Sequence, residues 1–197
     1  LYSSAASDVY KRQLVFVSGL ICSVASDPVD SYSPTSFHRA FNFTLARMLY
    51  SAIFYLLIPF VLLRLLKRSL KEPGYRVDIL ERFGFFRSKN PGKLVWIHAV
   101  SAGETIAAAP LVQSLLGQGY VCLVTSMTPT GRERVKALLA GEVENCFVPY
   151  DLPGSINRFL RNNEPRMLIT IDTELWPNMI EACAQRGVPT LLANGRL

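Results

Sequence analysis

Apolar positions along the chain follow two regimes. Residues 48–63 are sixteen consecutive uncharged positions rich in Leu, Ile, Phe and Tyr, and with Arg64 snorkelling the run extends to Leu66. As a helix, the stretch 48–66 is roughly 28 Å long, close to the ~30 Å of hydrocarbon in a bilayer. Buried helices of such length usually keep a polar face, and this one is apolar all round. The pattern predicts a single membrane-anchor helix that spans the bilayer, with deep lodging in the interface as the alternative and a kink at Pro59. After Pro91-Gly92, short apolar runs alternate with longer amphipathic ones. They predict strands over 94–98, 121–125, 146–148, 167–171 and 190–193, and helices over 105–116, 132–139, 155–162 and 179–186. The strands are near-continuous apolar runs, as in sheets covered on both faces. The fold class that follows is α/β, a Rossmann-like doubly wound parallel sheet preceded by the anchor helix.

These patterns divide the chain into four parts. Residues 94–197 form the sheet domain, 67–93 a basic juxtamembrane segment and 48–66 the anchor. Residues 1–47 are expected to be poorly structured. They hold an apolar run (14–25) behind Lys11 and Arg12, then a Ser/Pro/Asp-rich stretch (26–36), and precede the first methionine, Met48. They read as upstream residues that are not native, or as a signal-peptide core.

Charge sharpens the division. The chain carries a formal +6 over 197 residues, and residues 64–93 alone hold nine basic and three acidic side chains. Cations flanking an apolar helix mark the cytoplasmic side and adhere to anionic headgroups. Arg64, Lys67, Arg68, Lys71 and Arg76 are therefore the expected membrane-binding residues, with Arg82, Arg87, Lys89 and Lys93 continuing the band. Phe83, Phe85 and Phe86 are placed to dip rings into the interface. Residues 94–197 carry eight basic and nine acidic side chains, which leaves no general nucleic-acid-binding face there. Four scattered cysteines form neither a disulfide framework nor a zinc pair and behave as small hydrophobes.

In a doubly wound sheet, chemistry belongs at the carboxyl ends of the strands. Ser101-Ala-Gly-Glu104 follows the first strand. It has the spacing of a capping box, and equally Gly103 admits a ligand to the backbone while Glu104 supplies a general base. No G-x-G-x-x-G follows that strand, so no dinucleotide cofactor is expected. Thr128, Thr130 and Arg132 surround a helix start suited to phosphate or sugar hydroxyls, or Thr130 simply caps that helix. Asp172 and Glu174 stand two residues apart beside Trp176, which either offers a flat face to a sugar or plugs the sheet edge while Pro177 starts a helix. His98 reads as structural.

One set of segments runs in order through residues 48–197: Met48-Leu-Tyr and the apolar run, Tyr75-Arg76, Glu81-Arg-Phe-Gly84, His98-Ala-Val-Ser-Ala-Gly-Glu104, Met127-Thr-Pro-Thr-Gly131, Pro149-Tyr-Asp-Leu-Pro153, Thr173-Glu-Leu-Trp-Pro-Asn178 and Asn194-Gly-Arg-Leu197. With these the chain resembles the N-terminal half of the bacterial 3-deoxy-D-manno-octulosonic acid (Kdo) transferases of lipopolysaccharide assembly. The resemblance implies the first half of a two-domain GT-B glycosyltransferase on the cytoplasmic face of the inner membrane. This half would receive a lipid A precursor, through Ser101, Gly103, Thr128, Thr130, Arg132, Asp172, Glu174 and Trp176. CMP-Kdo would bind a C-terminal donor half that lies outside the sequence, and the chain by itself is expected to be inactive. Glu104 matches the family's proposed general base for inverting transfer, and neither metal nor cofactor is implied. Asp172 stands where the family usually has Glu, and Gly195 where it has Ala. Two other readings stay open: a different membrane-associated nucleotide-sugar transferase, and a non-catalytic membrane-anchored binding module.

Overall fold

The apolar runs of the second half assemble into a parallel sheet. The computed structural model describes residues 37–90, 94–139, 141–172 and 176–193. The expected features at 14–25 and 26–36, Lys93, and the segment 194–197 lie outside the described residues. Strands β1 (Leu94–His98), β2 (Val121–Ser126), β3 (Glu144–Phe147), β4 (Met167–Ile171) and β5 (Thr190–Ala193) lie in the order β3-β2-β1-β4-β5, every pairing parallel. Helices α2 (Ala102–Gly117), α3 (Pro129–Leu139), α4 (Pro153–Asn163) and α5 (Pro177–Gln185) make the crossovers. Order reverses between β1 and β4, so the crevice of this sheet opens at their carboxyl ends. The fold is the α/β architecture that the alternation of runs implies.

Three of the four crossover helices start at a proline, two to three residues before the first position of their apolar periodicity. Proline at the first helical position loses nothing, because its missing N–H is one the helix leaves unbonded anyway. β3 also begins earlier than its apolar residues. It is an edge strand, and Glu144 is retained in it because its carboxylate accepts from the Ser88 hydroxyl (3.0 Å) and from the Lys89 and Asn90 amides (3.0 and 3.1 Å).

β1 is central and buried along its whole length. Its side chains alternate between faces. On one face Leu94 and Trp96 join Ile156, Phe159, Met179 and Cys183 of α4 and α5 in the main core. The Trp96 ring lies 4.6 Å from Phe159, and its Nε1 donates to Thr125 Oγ1 at 2.9 Å. His98 shares this face, fully buried. Cys122, Cys146 and Cys183 are buried free thiols, and burial pushes Cys122 and Cys183 up to about 12.

A helix, α1 (Phe37–Lys71), precedes the sheet and starts well before Met48. Within it Leu45–Lys71 is long and apolar enough to cross a membrane. The basic juxtamembrane segment after it is ordered. Two 3-10 turns, Pro73–Arg76 and Ile79–Phe83, pack on the sheet edge. There the Phe147 amide donates to Glu81 (2.8 Å), the Tyr150 amide to the Arg82 carbonyl (2.7 Å), and Arg158 to the Phe83 carbonyl (2.6 Å). Arg82 is 2% exposed and does not meet solvent or headgroups. Its guanidinium covers the Phe147 ring at 4.0 Å and donates to the Met127 carbonyl at 3.1 Å. Of the three phenylalanines expected at the interface, Phe83 sits edge-on to Tyr150 and Phe86 packs against the core. Phe85 stays exposed, beneath Arg158.

Candidate active site

The β1–α2 turn is built by its own sequence. Ser101 takes the extended conformation of an N-cap, and its Oγ accepts the Glu104 amide at 3.2 Å. Glu104 answers with its carboxylate: Oε1 accepts from the Ser101 hydroxyl at 2.7 Å and Oε2 from the Val100 amide at 2.8 Å. The side chain thus reaches one residue beyond the cap, and two donors converge on it in the pattern of an ionised carboxylate. Glu104 is 8% exposed, at the rim of the crevice and braced from below. Gly103 is exposed, and a Cβ there would meet nothing nearer than Ser101 Oγ at 3.8 Å. The backbone in front of Glu104 is therefore open to a ligand.

The β2–α3 loop closes against this turn. The Met127 amide donates to the Val100 carbonyl at 3.1 Å. The cap of α3 is Thr128, whose Oγ1 accepts the Gly131 amide at 3.1 Å. Thr130 is exposed and donates to Thr128 at 3.2 Å; the expected cap shifts by two because Pro129 occupies the first helical position. A Cβ on Gly131 would stand 3.2 Å from Thr128 Oγ1 and 3.6 Å from the Val100 carbonyl oxygen, so glycine lets the two loops touch. Arg132 turns away from the crevice. It pairs with Asp78 at 2.7 Å and Glu81 at 3.3 Å, tying the second 3-10 turn to α3. Burial pushes the Glu81 carboxyl up, against the pull of the Phe147 amide and Arg132.

Across the crevice, β4 runs into Asp172, which has left-handed backbone (φ 57°) and donates its amide to the Ala193 carbonyl at 3.0 Å. Glu174 lies outside the described residues. Trp176 is the extended residue ahead of Pro177. Its ring packs against the core and meets His98 edge-on, 4.8 Å between centroids. Burial drives the His98 imidazole down to about 3, so it is neutral and serves as packing. The register sets His98 beside Thr170. The structure thus gathers Ser101, Gly103 and Glu104 with Asp172 and Trp176 about the point where the strand order reverses. Thr128 and Thr130 lie on the neighbouring loop, and Arg132 is committed elsewhere. Arg64, Lys67, Arg68, Lys71 and Arg76 are all exposed, apart from this edge.

One member of the edge was not assigned a role from sequence. Asp151 is 2% exposed, and its carboxylate accepts the Asn178 and Met179 amides at 3.1 and 2.8 Å. It caps α5 from another loop, in place of a cap by Trp176, whose side chain supplies none. Burial raises its carboxyl, offset by those amides and by the Tyr50 hydroxyl. The acidic residue within Pro149-Tyr-Asp-Leu-Pro153 was visible, but its partner 27 residues on was not.

Residues 78–197 match the family model described as 3-Deoxy-D-manno-octulosonic-acid transferase (kdotransferase). The chain belongs to the Kdo transferase family. It is 41% identical over 156 residues to a 3-deoxy-D-manno-octulosonic acid transferase of Haemophilus influenzae, an alignment covering 77% of this chain and 36% of the relative. A Bordetella pertussis protein with the same description is 38% identical over 149 residues, covering 71% of this chain and 35% of that one. A probable mitochondrial 3-deoxy-D-manno-octulosonic acid transferase of Arabidopsis thaliana is 35% identical over 152 residues, covering 76% and 34%. The chain spans about a third of the length of the curated relatives it matches. The matched family is one of glycosyltransferases, and the parallel sheet with flanking helices of this chain is consistent with a GT-B half. The matched region begins at Asp78, the residue paired with Arg132 at 2.7 Å, so the second 3-10 turn belongs with the family domain.

Proposed function

We propose that this chain is the acceptor-side half of an inverting transferase that moves Kdo from CMP-Kdo to a lipid A precursor. One observation carries the reading: a carboxylate braced by a local amide and hydroxyl stands at the mouth of the sheet, beside an exposed glycine and across the strand-order reversal from Asp172 and Trp176. Glu104 accepts the proton of the acceptor sugar hydroxyl. The freed oxygen attacks the anomeric carbon of Kdo from the face opposite the leaving group. The bond from that carbon to the phosphate oxygen breaks, and CMP departs with the electron pair. Two donors already fix the carboxylate's orientation, so little reorganisation accompanies the proton transfer.

CMP-Kdo is assigned to a second half of the full-length protein, since the relatives are about three times as long as the region they share with this chain. The apolar helix α1 anchors the protein to the bacterial inner membrane, and the exposed cations Arg64, Lys67 and Lys71 hold anionic headgroups on the cytoplasmic side.

Replacing Glu104 by Gln in the full-length protein tests the reading. Glutamine keeps an acceptor for the Val100 amide and cannot take a proton. Turnover of CMP-Kdo and lipid acceptor is expected to fall at least ~10²-fold with acceptor binding retained. Near-normal turnover would reduce Glu104 to a helix cap.

A further inference from the structure

We infer that α1 lies flat in the headgroup–acyl boundary of an anionic membrane, held along the sheet domain, instead of crossing the bilayer. The inference deepens the anchor reading above and rests on it.

Both ends of the apolar helix are fastened to the same domain. At one end Arg47 pairs with Glu181 of α5 at 3.8 Å, Ser51 Oγ donates to Asn178 Oδ1 at 3.2 Å, and the Gly154 amide donates to the Tyr55 hydroxyl at 3.4 Å. At the other end the Arg68 guanidinium lies 4.7 Å over the Tyr75 ring. There Leu62, Leu65 and Ser69 also border a groove of about 250 Å³ shared with Tyr75 and Ile79. From Arg47 to Ser69 is ~33 Å of helix at 1.5 Å per residue, the full thickness of a hydrocarbon core. A helix tied at both ends of that length cannot cross unless the domain enters the bilayer with it. The docked neighbourhood holds Glu181, Asp151 and the 3-10 turns after Glu72, groups that hydrocarbon does not accommodate.

The side turned from the domain is what an interface takes. Met48, Ile53, Leu56, Phe60, Leu63 and Leu70 are between 56 and 81% exposed, a continuous apolar strip along the helix. Exposed Arg64, Lys67 and Lys71 flank its last turns. This pairing of a greasy strip with a cationic border fits the surface of an anionic bilayer, at a depth of about 5–10 Å. A second copy of the chain is a poorer occupant, because α1 carries no acidic side chain to meet these cations whichever way two copies align.

The test uses the full-length protein in liposomes of phosphatidylglycerol and phosphatidylethanolamine, with the sheet domain facing outward. Ala46→Cys and Glu72→Cys, exposed at the two ends of the helix and outside the apolar strip, are treated with a membrane-impermeant maleimide, the parent protein giving the background of native cysteines. A flat helix labels at both positions within about twofold before the vesicles are opened. Spin labels at Leu49, Leu56 and Leu63 then report one shared depth. Labelling at position 46 only after permeabilisation, or a depth maximum at position 56, overturns the flat geometry while leaving the anchor intact. Failure of the parent protein to float with the liposomes overturns the anchor reading itself.

Discussion

Asp151 and Met179 are joined by a 2.8 Å hydrogen bond, carboxylate to backbone amide, across 28 residues of chain. The same carboxylate takes the Asn178 amide, and the Asn178 side chain returns a bond to the Asp151 carbonyl at 2.7 Å. The first turn of α5 is thus held by the β3–α4 loop, and Trp176 is held with it.

Asp151→Asn is therefore expected to weaken the start of α5. The new amide group puts a donor against a backbone donor, losing one bond and leaving a buried N–H unpaired. A loss of about 2–3 kcal/mol is expected, combining a helix cap with one unsatisfied group. Hydrogen exchange in the full-length protein checks it: amides of Asn178 and Met179 should lose protection before those of β1. Unchanged protection at α5 would show that Pro177 alone sets the helix start.

His98 makes stability depend on pH in a known direction. Its native value is about 3, against ~6.5 in an unfolded chain. Between those values the unfolded chain binds a proton that the native state excludes, so stability falls as pH drops below about 6.5. The slope approaches about 1.4 kcal/mol per pH unit. His98→Phe keeps an aromatic ring against Trp176 and cannot titrate. Urea midpoints at pH 7.5 and 5.5 should show the parent losing about 1 kcal/mol more than the variant.

Two glycines with nearly the same backbone separate strain from crowding. Gly84 (φ 82°) caps the second 3-10 turn, and a Cβ there would lie 2.2 Å from the Ser155 carbonyl oxygen and 3.1 Å from the Phe159 amide nitrogen. Gly119 (φ 78°) has no neighbour within 4 Å. Gly119→Ala should cost only the left-handed backbone, about 1 kcal/mol. Gly84→Ala adds an overlap with α4 backbone that no side-chain rotation relieves, for a total of about 3–5 kcal/mol. Thermal unfolding of the two variants side by side measures the difference, and equal losses would mean the turn shifts freely on α4.

Short-range chemistry was written plainly in the chain. The five strands are legible because burial on both faces demands uninterrupted apolar residues, and β1 and β4 meet that demand throughout. The Ser101–Glu104 turn is legible because a cap and its reciprocal carboxylate lie three residues apart. The apolarity of α1 was equally plain. Each of these is set by neighbours within one or two turns of chain, which a linear pattern records.

Partners distant in sequence were settled only by the tertiary structure. Charge pattern assigned Arg82 to a lipid-facing band; packing on Phe147 took it inside. Arg132 stood beside a plausible phosphate seat, and Asp78 and Glu81 claimed it from 54 and 51 residues away. Glu144 lies ahead of the apolar run at 146–148, and donors from Ser88 to Asn90 hold it in the strand. Hydropathy marked α1 as long and apolar enough for a bilayer, and the contacts of Arg47 and Ser51 set its start against α5. Composition states what a segment prefers to touch, whereas the closing of loops in three dimensions selects which distant group answers.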